Sequence, residues 1–265
     1  MAKRFRGHWE SLGDGSPVLC ISGFATANWM FRHCLTPLAG RYRFLLPDNR
    51  GMGLSPPATG PYDLEALADD LIDLMDDLGE TRFDVIGLSM GGFVAQLLAS
   101  RHAGRVRRMV LMCTSCNDLE FRALFPVFTR EQIAAVYRLR REDRVNAALS
   151  EMMCPWLFTR YPQAHAYIRQ QRLQFEPDAE QVLLQYDAVA RFLASPPLDL
   201  AAFTMPVLVL SGDRDPVVPL PNAILLAARL PDAELRVIEE TDHFFFLEKP
   251  AEVAERIGEF FEKKS

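Results

Sequence analysis

The sequence has no surplus of basic residues: 29 Lys plus Arg stand against 35 Asp plus Glu, a formal net charge of −6 over 265 residues. Neutralising nucleic-acid phosphates takes a cationic surface, so a nucleic-acid partner is not expected. Also missing is any apolar run of the roughly 18 residues needed to cross a bilayer. The basic start, Met-Ala-Lys-Arg-Phe-Arg, leads into Gly-His-Trp-Glu-Ser and not into an apolar stretch. Neither signal peptide nor anchor is therefore expected, and the expected location is cytoplasmic, with no membrane partner. Cysteine is scarce and odd in number, at five, which fits reduced thiols better than a disulfide framework. Cys113-Thr-Ser-Cys116 has the spacing of a redox or zinc motif, but no second pair accompanies it and it follows a strand-like run, so no metal is expected. Internal repeats and low-complexity tracts are absent as well.

What is present is ordinary globular composition, 49% hydrophobic and 24% charged, in a chain long enough for one large or two small domains. Short apolar runs at residues 18–22, 44–47, 83–88, 109–113, 207–211 and 235–238 alternate with helix-period segments. That alternation predicts an α/β fold: a mostly parallel, twisted sheet with helices on both faces. Leu64, Leu67, Ala68, Leu71, Leu74, Met75 and Leu78 repeat at three and four and predict an amphipathic helix. Asp69, Asp70, Asp73, Asp76 and Asp77 form its other face, read as solvated and not as an acidic ligand site. From about Asn117 to Leu200 the alternation stops. This stretch is helical in pattern and rich in aromatics, including Phe121, Phe125, Phe128, Tyr137, Trp156, Phe158, Tyr161, Tyr167 and Phe175. It reads as a helical cap (117–200) inserted between two strands of a core domain formed by 1–116 and 201–265.

Gly87-Leu88-Ser89-Met90-Gly91 stands where a buried-looking strand runs straight into a helix. A serine on such a sharp turn has strained backbone, and glycines two positions either side let neighbouring chain pack close while the hydroxyl projects into the cleft. A serine hydroxyl is a poor nucleophile until a positioned base takes its proton, and that base needs an orienting group. Of the five histidines, His8, His33, His102 and His165 lie away from the ends of the strands. His243 follows the last strand, at the sheet edge where such folds place reactive groups. The orienting carboxylate should also end a strand. Asp215 is the leading candidate because Pro216 and Pro219 fix its loop. Asp213, beside Arg214, and Asp118, past the preceding strand, are its rivals.

Four motifs now stand in order: the turn at 87–91; Asp48-Asn-Arg-Gly-Met-Gly-Leu-Ser55; the loop at 212–219; and His243 followed by Phe-Phe-Phe-Leu-Glu-Lys-Pro250. Together they resemble the α/β-hydrolase superfamily from about residue 18 to 261, nearest the branch of 3-oxoadipate enol-lactonases, small carboxylesterases and cofactor-free haloperoxidases. The resemblance implies Ser89 as nucleophile, His243 as base and Asp215 as orienting acid, with the backbone N–H groups of Met90 and Phe24 as an oxyanion hole. No cofactor is implied. Three departures stand out. Ser22-Gly23 replaces the usual His-Gly, and Ser22 reads as bonding its own loop or else a substrate oxygen. Asp242 replaces the usual Gly before the histidine, and reads as a solvent-pointing turn residue or else as a carboxylate raising the histidine pKa. The lead-in before Ser16 has room for one strand and a turn, which predicts a sheet shortened at that edge.

Ser22, Trp29, Phe24, Phe244 and the cap aromatics suggest a largely apolar substrate pocket, although core packing is the ordinary role of such aromatics. Arg122, Arg138 and Arg141 are candidates for holding a substrate carboxylate, with exposed helix surface as the alternative. The function implied is a serine hydrolase acting on a small carboxylic ester, lactone or related carbonyl compound. A carbon–carbon bond hydrolase or lyase on the same three residues, or a non-catalytic receptor on the same fold, are the competing readings.

Overall fold

The computed structural model describes residues 5–124 and 128–263, so Phe125 of the aromatic stretch lies outside the described residues. Seven strands form a single sheet: β1 (Trp9–Leu12), β2 (Ser16–Ile21), β3 (Tyr42–Pro47), β4 (Phe83–Leu88), β5 (Val106–Met112), β6 (Val207–Gly212) and β7 (Ala233–Ile238). Their order is β1-β3-β2-β4-β5-β6-β7. All neighbours are parallel except β1, which pairs antiparallel with β3 from Trp9 opposite Pro47. The short lead-in thus supplies one edge strand. Every residue of β4 and β6 is buried, because strands covered on both faces read as unbroken apolar runs.

One face of the sheet is covered by α2 (Leu64–Asp77), α3 (Met90–Arg101) and α10 (Pro221–Arg229). The other is covered by α1 (Arg32–Leu35), α11 (Phe245–Glu248) and α12 (Pro250–Glu262). Helix α2 forms where its stripe predicts, starting at Asp63, whose side chain accepts the Ala66 N–H at 2.8 Å. Its acidic face is paired: Asp70 with Arg50 at 2.5 and 2.7 Å, Asp69 with Arg101 at 3.1 Å and Asp76 with Arg105 at 2.6 Å.

Between β5 and β6 lie α4 (Leu119–Arg122), α5 (Arg130–Val136), α6 (Arg141–Met152), α7 (Leu157–Arg160), α8 (Pro162–Gln174) and α9 (Ala179–Ala194). These helices have little core of their own. Helix α5 buries no residue, and α8 buries only Ile168.

Candidate active site

The chain leaves β2 towards β3 on one side and later returns to place β4 on the other, so the strand order reverses between β2 and β4. At such a switch point the carboxyl ends of the two strands leave a crevice. Ser89 follows β4 there, with φ 53° and ψ −118°, a left-handed backbone that costs a non-glycine residue about 1–3 kcal/mol. The surroundings hold it in place. Its N–H donates to the Met112 carbonyl at 2.8 Å, and its own carbonyl accepts from Gly92 N–H at 2.8 Å and Thr114 Oγ1 at 2.7 Å. A Cβ on Gly91 would lie 2.0 Å from the Ile21 carbonyl oxygen, and one on Gly87 would lie 2.6 Å from that of Gly91. A side chain at Gly91 would push β2 and the turn apart, and one at Gly87 would push the start of α3 away from β4.

The loop after β6 brings Asp215 to His243. Asp215 Oδ2 accepts from His243 Nδ1 at 2.8 Å, while Oδ1 accepts the N–H groups of Val217 and Val218 at 2.8 and 2.9 Å. Both side chains are buried. The rival carboxylates are engaged elsewhere. Asp213 takes the Thr241 N–H at 3.1 Å and pairs with Arg214 at 3.3 Å, and Asp118 caps α4 through the Glu120 N–H. Burial works against a charged His243 ring, but the Asp215 carboxylate and the adjacent Cys113 thiol outweigh it, and the pKa is raised well above the ordinary histidine value.

Cys113, a residue whose role the sequence did not reveal, lies at the centre of this arrangement. It follows β5 at φ 39°, is 1% exposed, and its sulfur lies within 4.8 Å of a His243 ring nitrogen, beside the backbone of Ser89. The elbow and the Asp215–His243 pair therefore meet around one sulfur atom. Among the described residues no hydrogen bond yet joins the Ser89 hydroxyl to His243; such bonds are often long in a free site and tighten on substrate binding. Cys113, Asp215 and His243 present atoms within 4.8 Å of one another that could ligate a metal. Burial keeps the thiol protonated, however, and the other two groups are bonded to each other, so the donor set is poorly prepared for an ion. The signal for Cys113 was its position at the carboxyl end of the strand beside β4.

The loop after β2 packs against the elbow, where a Cβ on Gly23 would lie 3.3 Å from that of Ser89. Among the described residues no acceptor takes the N–H of Phe24 or of Met90. The next amide is occupied: Ala25, at φ 50°, donates to Gln185 Oε1 of α9 at 2.7 Å. From below, Asn49 Nδ2 holds the Ser22 carbonyl at 3.2 Å, and Asp48 accepts the N–H groups of Asn28 and Leu54 at 2.8 and 3.0 Å. The Asp48–Ser55 turn is thus a brace for this loop. Ser22 differs from expectation, since its hydroxyl is fully buried and bonds neither its loop nor any other described group.

Trp29 lines a cavity beside this loop, together with Ala25, Tyr137, Arg144, Arg172 and Glu176. Phe244 is wholly enclosed and packs edge-on behind His243, with ring centroids 5.8 Å apart. Arg122, Arg138 and Arg141 are exposed; the arginines facing inward are Arg144 and Arg172. Asp242 is also corrected: it is wholly buried and does not point to solvent.

A strained serine between two close-packed glycines, at the switch point of a parallel sheet and opposite a buried Asp–His pair, defines a class of enzyme architecture. The chain belongs to the family described as the alpha/beta hydrolase fold, whose model matches residues 16–250. It is 28% identical over 272 residues to 2-hydroxymuconate semialdehyde hydrolase of Pseudomonas sp. (strain CF600), covering 98% of this chain and 92% of that one. A thermophilic esterase from Thermogutta terrifontis superposes with TM-score 0.82 at 29% identity, over 96% of this chain and 92% of that one. The enol-lactonase from Burkholderia xenovorans LB400 shares the fold, with TM-score 0.82 at 24% identity over 97% and 96% of the two chains. The protein is an enzyme, a hydrolase. Among the described residues no helix is long and apolar enough to cross a membrane.

Proposed function

We propose that the protein is a serine hydrolase that cleaves small carboxylic esters or lactones through an acyl-enzyme on Ser89. The observation that carries this reading is the 2.8 Å Asp215–His243 pair, gathered with the strained Ser89 turn around Cys113. In the neutral ring, Nδ1–H donates to Asp215 and leaves Nε2 free as the base. His243 takes the Ser89 proton as Oγ bonds to the substrate carbonyl carbon. The oxyanion that forms is met by the unoccupied N–H groups of Phe24 and Met90. The protonated ring then gives its proton to the departing oxygen as the carbon–oxygen bond breaks. Water, deprotonated by His243, hydrolyses the acyl-enzyme, releasing the acid and restoring the serine. No step requires a cofactor.

Residues 117–200 act as a cap on a core of 1–116 and 201–265, and the cap sets the substrate. Arg144 and Arg141 pair with Glu176, while Arg172 has an enclosed Nε without a partner. Two inward cations, Arg144 and Arg172, with one carboxylate beside the loop of Phe24 favour a substrate that carries an acid group near an otherwise apolar acyl chain. That cavity measures only about 40 Å³, so seating a substrate acid group in it requires the cap helices to part.

The relative named 2-hydroxymuconate semialdehyde hydrolase favours a second reading, in which the same residues cleave a carbon–carbon bond. One experiment separates the two. The enzyme is mixed with p-nitrophenyl hemisuccinate or acetate, quenched, and weighed intact, and in parallel it is given 2-hydroxymuconate semialdehyde with product analysis. The ester reading predicts a burst of one nitrophenol per chain and an acyl mass adduct that vanishes in Ser89→Ala. No adduct on folded protein, with turnover of the semialdehyde, would overturn it in favour of the second.

A further inference from the structure

Cys154, in the connection from α6 to α7, is bonded to both loops that bear the Asp215–His243 pair. Its N–H donates to Asp242 Oδ2 at 3.1 Å and its thiol to the Arg214 carbonyl at 3.0 Å. Burial first, then the nearby carboxylates, push the thiol pKa up, so it remains a donor. Asp242 itself has no exposed surface. Its Oδ1 accepts the Phe244 N–H at 2.8 Å, and its own N–H donates to Glu248 Oε2 at 3.0 Å. That backbone bond brings the Glu248 carboxyl beside the Asp242 carboxyl, and Glu248 Oε1 is enclosed with no N–H or hydroxyl to meet it. Two ionised carboxylates repel in such a contact, and one proton between them turns it into a bond. The two N–H groups on Asp242 favour its charged form, so the proton belongs on Glu248. Burial, and then the Asp242 charge, push the Glu248 pKa up to about 9.

We propose that Asp242 is a positioning residue that latches the cap onto the loop carrying His243, and that a proton held by Glu248 keeps the latch shut. The role rests on His243 being the base, since the latch fixes the amide next to it. Loss of the Glu248 proton places two buried negative charges side by side, which frees the Cys154 and Phe244 amides and lets the base drift. Other titratable or charged groups near the pair are His243, Asp215 and Arg214 on the core side, and Cys154 on the cap side. Across the cleft that Glu248 lines stand His33, Arg160 and Tyr161, while Lys249 turns away to the Glu239 carbonyl. Arg160 also ties the cap to the His243 loop through Glu240, at the exposed surface, and the Cys154 thiol bonds the Asp215 loop; Asp242 makes the buried tie next to the base.

The test is amide hydrogen exchange on the intact protein at pH 7 and pH 10, corrected for intrinsic exchange and read at Cys154 and Phe244. Wild type should lose at least tenfold protection at both amides between the two pH values. Glu248→Gln, whose amide still donates to Asp242, should keep its protection, and Asp242→Asn should show the loss already at pH 7. In parallel, Ser89 labelling by a small fluorophosphonate should fall on the alkaline side with a midpoint near pH 9 in wild type and not in Glu248→Gln. The same alkaline loss in Glu248→Gln, or wild-type protection of Cys154 in Asp242→Asn, overturns the latch. If Asp242→Asn does not fold, the Glu248→Gln comparison decides alone. Exchange needs no chemistry at Ser89, so a wild type that is never labelled but shows the exchange pattern would sink the hydrolase mechanism and leave the latch standing.

Discussion

The carboxyl edge of the sheet and the helices between β5 and β6 face each other across the site, and they are held by different forces. At the sheet edge, Asp215 receives three hydrogen bonds and the Ser89 backbone makes three, all anchored on strands with no exposed face. The helical segment has fewer buried side chains: α9 sends Ala188, Phe192 and Leu193 into the core beside the sheet, and polar contacts hold other parts, among them Gln185 to Ala25, Gln181 to Ala58, Tyr167 to the Trp29 carbonyl and Cys154 to Asp242. On the proposed reading, reaction geometry is set by the packing of the sheet edge, and substrate fit by the helical segment. Changes at the edge should alter rate or global stability, whereas changes in the helices should mostly alter fit.

The largest effect expected from this contrast is at the acid. Asp215→Asn keeps shape but offers His243 the wrong partner, and should lower kcat by about 10⁴-fold, read in a steady-state ester assay. It also has a pH signature. Activity needs the neutral ring, and a raised His243 pKa means that in wild type kcat/KM rises with pH only through a value above the ordinary histidine range. Removing the Asp215 charge should move that acid limb to lower pH. An unmoved limb would mean that another group controls it.

A smaller effect tests the two regions by stability alone. Asp84, fully buried in β4, pairs with Arg107 at 3.2 Å and Arg108 at 3.0 Å. Asp84→Asn leaves two arginines without their counter-charge, and urea melts should show a loss of about 3–5 kcal/mol. Arg130→Ala removes the pair with Asp187, half-exposed on the cap helices, and should cost no more than about 0.5 kcal/mol. Equal losses would show that the helical segment is as tightly built as the sheet.

The same division explains what could be read from the chain. Six of the seven strands were legible because burial on both faces leaves continuous apolar runs; β1, with alternating half-exposed residues, was legible only as room for a strand. Ser89, Asp215 and His243 could be placed because each follows a strand within a local motif. Cys113 could not be assigned its neighbours, since its contact with His243 depends on how distant strand ends meet. Asp242 was misread as a surface turn for the same reason. Its partner Glu248 is near in sequence, but Cys154 lies 88 positions away on another element. Arg144 and Arg172 were no more conspicuous than the exposed Arg122, Arg138 and Arg141. Helix periodicity is weak where little is buried, so the inward face of the cap was not encoded in a readable stripe.

The central claim is that Ser89 is an activated nucleophile within an assembled Ser–His–Asp site, and labelling by a small fluorophosphonate, followed by intact mass, tests it most directly. The account predicts one adduct per chain on the wild type, none on Ser89→Ala, and labelling slowed by orders of magnitude in Asp215→Asn. An adduct that persists in Ser89→Ala, or equal labelling rates for wild type and Asp215→Asn, would contradict it.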